Sequence, residues 1–377
     1  MRRLGVIFVL LAATLVAAVP AHAAGKRRAP QGFYGVMWNR AATEVPKELH
    51  DAEFALMARS GVESVRTVFS WAAAQPAPGQ PPSMIETDRV VALAAARHIE
   101  LLPIVLYTPG WASRYPGRRG SPPTSPADYA AYLSALVARY GPNGTFWSEN
   151  PALPRTPIRA WQVWNEPHLE DYWLTEGGPW APSYTALLKA SAKAIRRGDR
   201  RATVVTAGLA SFPWTYLKAI YKNGGRGSFD AVAMNLFTSS PQNVIRGVRL
   251  VRRELRSHGD RRKKVWITEG TWPASKGRAP GSTRASWQRK WETTPRGMAA
   301  RLRGLYALAV KGRRREGIGR VFWYTWATAY HGDDLFDYGG LLTFDGQAFT
   351  PNPALRAYTA SARRFQGCVK TSAGRCR

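Results

Sequence analysis

The run Trp161-Gln162-Val163-Trp164-Asn165-Glu166-Pro167 decides the fold. It begins as a short apolar segment of the kind that forms a buried parallel strand. It breaks at Asn-Glu-Pro, because proline has no N–H to give to a ladder. The strand therefore delivers a carboxamide and a carboxylate to its C-terminal end. In a closed barrel of parallel strands the chemistry collects at those ends. Taken alone, the triplet equally describes a strand followed by a turn, with Glu166 in water. A second stretch changes the balance. Val265-Trp266-Ile267-Thr268-Glu269-Gly270 is also an apolar strand that ends in a glutamate and is broken by glycine.

Outward from these two stretches, strand-like and helix-like segments alternate. Strands are predicted at Phe33–Trp38, Val65–Phe69, Leu101–Tyr107, Ala160–Asn165, Thr203–Ala207, Ala231–Leu236, Val265–Thr268 and Arg320–Trp326. Helical patterns cover Asp51–Ser60, Thr87–His98, Ser125–Tyr140, Pro182–Arg197 and Arg296–Lys311. Gly61 is a natural stop for the first, and Ser125-Pro126 a capped start for the third. Strands alternating with helices argue for a parallel sheet with helical crossovers. Eight such units in a chain of 377 residues argue for closure into a single (β/α)8 barrel of the α/β class.

The ends carry different signals. Met1-Arg2-Arg3, an apolar run from Leu4 to Val19 and Ala21-His22-Ala23 read as a secretory signal peptide over residues 1–23. A basic tail occupies residues 24–30, the barrel 31–362 and a C-terminal tail 363–377. The two cysteines, Cys368 and Cys376, both lie in that last tail. In an oxidising compartment they are expected to pair. Two thiolates without nearby histidines make a poor zinc site.

Charge is the most unusual bulk property. The chain holds 54 Lys and Arg against 25 Asp and Glu, a formal +29, and losing Arg2 and Arg3 leaves about +27. Nucleic acid, an anionic membrane or an acidic polysaccharide would each suit such a surplus. No nucleic-acid-binding signature accompanies it. Clusters such as Arg252-Arg253, Arg261-Arg262-Lys263-Lys264 and Arg313-Arg314-Arg315 precede predicted strands, where solvated helix ends and loops are expected. Plain solubility and attraction to an anionic glycan both remain open.

Two carboxylates at two strand ends of one sheet suit glycoside hydrolysis, in which one protonates the leaving oxygen and the other attacks or activates water. With these motifs the chain resembles the clan A glycoside hydrolases, the retaining barrel enzymes, and among them the cellulase-like family 5 and the xylosidase-like family 39. The resemblance covers Phe33 to Tyr358. It implies that Glu166 is the acid/base, that Glu269 is the nucleophile and that Asn165 holds a sugar 2-hydroxyl. It also implies that Arg66, within Val65-Arg66-Thr67, braces Glu269. A lone buried arginine there would be too costly without a partner.

Other residues are weighed beside these. Trp323 and Trp326, in Phe322-Trp323-Tyr324-Thr325-Trp326, resemble the clan's strand-8 aromatic segment and are expected to offer one sugar-stacking face. Being three apart, they point to opposite sides of a strand. Tyr338 to Gly346 reads as a hairpin turning at Asp345-Gly346. The acidic loop His331-Gly332-Asp333-Asp334 has no fixed ligand spacing, so no metal is expected. The pattern departs from the clan at strand 6. In Asp230-Ala231-Val232-Ala233-Met234-Asn235-Leu236-Phe237, Asn235 stands where the clan has histidine and Phe237 where it has tyrosine. Asn235 keeps the ability to bind a sugar hydroxyl, whereas Phe237 cannot donate to a nucleophile.

The expectation is a secreted, monomeric glycoside hydrolase without cofactor, acting on a poly- or oligosaccharide by double displacement. The alternative is a catalytically silent carbohydrate-binding barrel, motivated by Phe237. Neither nucleic acid nor stable membrane insertion after signal removal is expected.

Overall fold

Eight parallel strands close on themselves in the computed structural model, which describes residues 25–39, 43, 45–278, 286–328 and 334–376. They are β1 (Tyr34–Met37), β2 (Ser64–Ser70), β3 (Glu100–Leu106), β4 (Ala160–Val163), β5 (Thr203–Val205), β6 (Ala231–Asn235), β7 (Lys264–Glu269) and β8 (Ile318–Trp323). β1 pairs with β2 on one side and β8 on the other, and Val205 opposite Ala231 closes β5 against β6. Leu209–Ala210 continues β5 after a break and pairs with the end of β6. The fold is a (β/α)8 barrel. The expected signal peptide and His331 to Asp333 lie outside the described residues.

The surrounding helices are α1 (His50–Arg59), α2 (Ile85–Ala95), α3 (Pro126–Tyr140), α4 (Trp180–Gly198), α5 (Pro213–Lys222), α6 (Pro241–Ser257), α7 (Pro295–Glu316) and α8 (Pro353–Gln366). Strand–helix alternation alone did not single out α5, α6 and α8. Four helices share one start. Ser125, Ser240, Thr294 and Asn352 each accept a backbone N–H from the first turn, and proline follows each of them. Gly317 and Gly367 end α7 and α8 in left-handed conformation, where glycine is unstrained.

An apolar plug fills the lower barrel: Leu102, Ala160, Val205, Ala231, Ala233, Trp266 and Phe322. Phe322 needs Gly35 opposite it, since a Cβ there would fall on its ring. The larger core lies between strands and helices. It contains the stacked Tyr34 and Tyr306 rings, 4.5 Å apart, with Tyr358 edge-on.

The tails are tied down. The Arg28 N–H donates to Phe365 O at 2.8 Å, and Arg27 donates to Glu63 at 2.5 Å. The basic stretch placed ahead of the barrel thus packs on α8, whose helix also runs four residues past the expected boundary at 362. Cys368 and Cys376 are bonded, with Cα atoms 5.5 Å apart. The expected hairpin is present, Leu342–Phe344 running antiparallel to Phe349–Pro351. No helix among the described residues is long and apolar enough to cross a membrane.

Candidate active site

A polar layer sits directly above the plug. Side chains alternate along a strand, so the positions two residues beyond inward-facing Ala160, Ala233 and Trp266 also face inward. These are Gln162, Asn235 and Thr268. Arg66 reaches the same layer from β2. Its guanidinium donates to Glu269 Oε1 (2.6 Å), Asn165 Oδ1 (2.9 Å) and Gln162 Oε1 (2.8 Å). Asn235 Nδ2 donates to Glu166 Oε1 (2.8 Å) and more loosely to Asn165 Oδ1 (3.3 Å). Thr268 Oγ1 donates to Asn235 Oδ1 at 2.8 Å, which fixes that amide's orientation. A continuous chain of hydrogen bonds thus joins the two glutamates through Arg66, Asn165 and Asn235.

The backbone after β4 is bent to present these groups. Trp164 and Glu166 hold φ of 70° and 43°, in the left-handed region that costs a bulky residue energy. The Glu166 N–H donates to Gly208 O at 3.0 Å, anchoring the turn to the extension of β5. Gly208 also leaves the space that the asparagines occupy. A Cβ there would lie 2.6 Å from both Asn165 Oδ1 and Asn235 Nδ2.

Glu166 and Glu269 retain 8% and 7% of their surface, so each carboxyl reaches the mouth. Burial pushes Glu166 up to about 8, helped by the charge of Glu269 and opposed by the Asn235 hydrogen bond and by Arg66. Burial also raises Glu269, but there the adjacent Arg66 pulls downward both as a charge and as a donor. Only Glu269 has the guanidinium at hydrogen-bond distance, so a single proton on the pair resides on Glu166. Asn165 Nδ2 donates to no protein group among the described residues and is left for a ligand.

The expected tryptophan platform is not there. Trp323 and Trp326 are both fully buried, at 0% exposure. Trp323 Nε1 donates to Gly339 O at 3.0 Å, and the ring packs against Trp272. The indole nitrogen of Trp326, like that of Trp38, faces the buried Glu53 of α1 without completing hydrogen-bond geometry. β8 ends at Trp323, so the mouth is reached by neither ring. Tyr324, between them, is only half-buried and accepts from Asn39 Nδ2 at 3.2 Å. Phe237 joins an aromatic cluster with Trp291, Tyr324 and Phe336.

Several site residues had no sequence signal of their own. Gln162 and Thr268 read only as strand residues, and Gly208 as a loop glycine. Tyr172 sits on the loop after β4. Burial, and after it the charges of Glu166 and Glu269, hold its phenol well above the usual range. Phe212 and Tyr107, on the loops after β5 and β3, are 57% and 40% exposed and give the mouth an open aromatic rim. No cluster of three His, Cys, Asp or Glu side chains among the described residues could hold a metal.

A parallel barrel with two buried carboxyls, one braced by arginine, at the C-terminal ends of β4 and β7 defines the class of site. No family model matches the chain, and no curated protein matches it. Solved structures do. A family 39 glycoside hydrolase from Bacteroides cellulosilyticus WH2 superposes with a TM-score of 0.64 at 19% identity, over 90% of this chain and 64% of that one. The chain therefore spans somewhat under two thirds of that protein's length. A monomeric β-xylosidase from Caulobacter crescentus CB15 gives 0.62 at 17% identity, over 89% and 69% of the two chains. A family 39 enzyme from Xanthomonas axonopodis pv. citri gives 0.63 at 18%, over 89% and 67%. At these identities the likeness is one of fold.

Proposed function

We propose that this chain is an exported, monomeric retaining glycoside hydrolase of clan A type, nearest to family 39, acting on an oligo- or polysaccharide. The hydrogen-bonded chain from Glu166 through Asn235, Asn165 and Arg66 to Glu269 carries the reading. It puts the guanidinium on Glu269 and leaves Glu166 as the carboxyl that keeps a proton, at the mouth of a barrel, which is the arrangement that double displacement needs. Fold likeness to solved family 39 enzymes and to a β-xylosidase described as monomeric supports it.

In the first step the Glu166 proton passes to the glycosidic oxygen as the C–O bond breaks. A Glu269 oxygen then bonds to the anomeric carbon. In the second step Glu166, now a carboxylate, takes a proton from water as the water oxygen displaces Glu269 and regenerates it. Asn165 Nδ2 is free to bind the neighbouring hydroxyl. Asn235 orients Glu166 through its 2.8 Å hydrogen bond and also helps to lower the Glu269 carboxyl.

A carbohydrate-binding barrel without turnover is the second reading, favoured by Phe237, which removes a hydroxyl from the nucleophile's surroundings. Against it stands the cost of the network. A binding site gains nothing from a buried, protonated carboxyl beside a braced, ionised one. Proton NMR of the first product formed from an aryl glycoside tests the proposal. A product of retained configuration is expected. An inverted product, or no turnover on a broad panel of glycosides together with sugar binding, would overturn it.

A further inference from the structure

The basic clusters that the sequence scatters over three segments converge in the fold. The end of α6, the loop from Arg261 to Lys264 that enters β7, and the end of α7 together wall one cleft of about 790 Å³. Arg256, Arg261, Arg262, Lys264, Arg314 and Arg315 line it and are exposed. Arg252 and Lys263 form its inner wall. The cleft lies at the N-terminal ends of β7 and β8, away from the mouth. Along β7, Lys264 and Glu269 are roughly 17 Å apart at the usual strand rise.

Helix ends attract cations, so some of this charge has a structural reason. Each helix C-terminus carries about −0.5, and two of them about −1. Glu316 pairs with Arg315 at 2.7 Å and Asp260 with Lys263 at 3.1 Å. Against eight cations these leave a surplus of about +5. Arg256, Arg261, Arg262, Lys264 and Arg314 have no carboxylate partner among the described residues.

The cleft is also built rather than incidental. Arg252 is 3% exposed. Its Nε donates to Glu316 O at 2.9 Å and its Nη1 to Lys263 O at 2.8 Å and Arg261 O at 3.2 Å, locking the end of α7 to the loop before β7. Its Nη2 is buried and meets no acceptor. Gly317 makes room for it, since a Cβ there would overlap that nitrogen. Arg252 thus keeps its charge in the wall of the cleft with one N–H unpaired, which adds to the pull on an anion seated there.

We propose that this cleft is an anchoring site for a polyanionic glycan bearing repeated phosphate or carboxylate groups, separate from the catalytic mouth. Its lining has no aromatic platform of the kind that single-stranded nucleic acid stacks on. It also lacks the apolar centre of a protein interface. Charge repeated along a flexible chain is what it matches. The choice of a glycan rests on the glycosidase reading, and the test therefore measures binding without turnover.

The full mature chain would be titrated against fluorescent poly(glycerol phosphate), polygalacturonate, a neutral glucan and duplex DNA over a range of salt. Two variants carry the comparison. One is the quadruple Arg256→Ser, Arg261→Ser, Arg262→Ser, Arg314→Ser. The other neutralises four exposed cations elsewhere, Arg59→Ser, Arg200→Ser, Lys222→Ser and Arg246→Ser. Thermal unfolding of both checks the fold. The cleft variant is expected to lose more than tenfold in affinity for one or both anionic glycans. At about 0.7 per contact, its log–log salt slope should shallow by about 3. The control variant should lose less than threefold. Binding of only the phosphate or only the uronate polymer would assign the charged group. Equal losses in the two variants, no binding of either glycan, or DNA bound as tightly with the same dependence on the cleft would overturn the proposal.

Discussion

Replacing Gly208 by alanine tests the geometry of the site more directly than removing a carboxylate. Its backbone is not left-handed, so alanine adopts it without strain. The effect is therefore steric. The new Cβ would stand 2.6 Å from Asn165 Oδ1 and from Asn235 Nδ2, where ordinary contact begins near 3.4 Å. The two amides must retreat by about 0.8 Å, and they are the links that join Glu166 to Arg66. Overpacking of this size costs about 1–3 kcal/mol, and the stiffer unfolded chain returns about 0.4–1 kcal/mol. A net loss of about 1–2 kcal/mol is expected, visible as a Tm lower by a few degrees. Displacing an orienting group by nearly 1 Å lowers turnover on the order of a hundredfold. The assay is kcat/KM on an aryl glycoside that the wild type cleaves, with thermal unfolding alongside. If Gly208→Ala kept its rate within twofold, the asparagines would not be packed against that backbone, and the account of the site would fail.

Other outcomes follow from the same geometry. Glu166→Ala should slow glycosides with poor leaving groups far more than activated nitrophenyl ones, and azide should restore turnover with a glycosyl azide of retained configuration. Equal losses across leaving groups would count against the acid role. Because Glu166 must hold its proton, activity should fall as pH rises through about 8. Arg66→Met removes the charge that opposes burial at Glu269, so the acidic limb of the pH–rate profile should move upward. An unmoved limb would separate Arg66 from the nucleophile. Glu53, buried on α1, is pushed up to about 8 by burial. Its folded-state value lies above the unfolded one, so its contribution to stability is full below about 4.5 and is lost as pH rises through 8. Glu53→Gln should therefore be more stable than wild type at pH 8, on the order of several kcal/mol, and about equal at pH 4 by thermal unfolding. An advantage that did not change with pH would exclude ionisation as its cause.

The sequence by itself determined the architecture and the two carboxylates. Apolar runs spaced by helix-length segments leave little choice but a parallel sheet with crossovers, and Pro167 and Gly270 mark where the strands bearing Glu166 and Glu269 stop. Arg66 was legible for a related reason, since a cation within an apolar strand demands a partner. Periodicity could say that Trp323 and Trp326 face opposite ways, but not whether either face met the mouth. That depended on where β8 ended, and both rings went into the core. Conversely, Gly208, Gln162, Thr268 and Tyr172 carry no local pattern. They matter because closing the barrel brings strand ends far apart in sequence into one polar layer, where hydrogen-bond geometry sets which carboxyl keeps the proton. The cationic clusters show the same limit. Read along the chain they are separate solvated ends, and only the packing of α6 and α7 against the start of β7 turns them into one cleft, because charge adds through space and not along sequence.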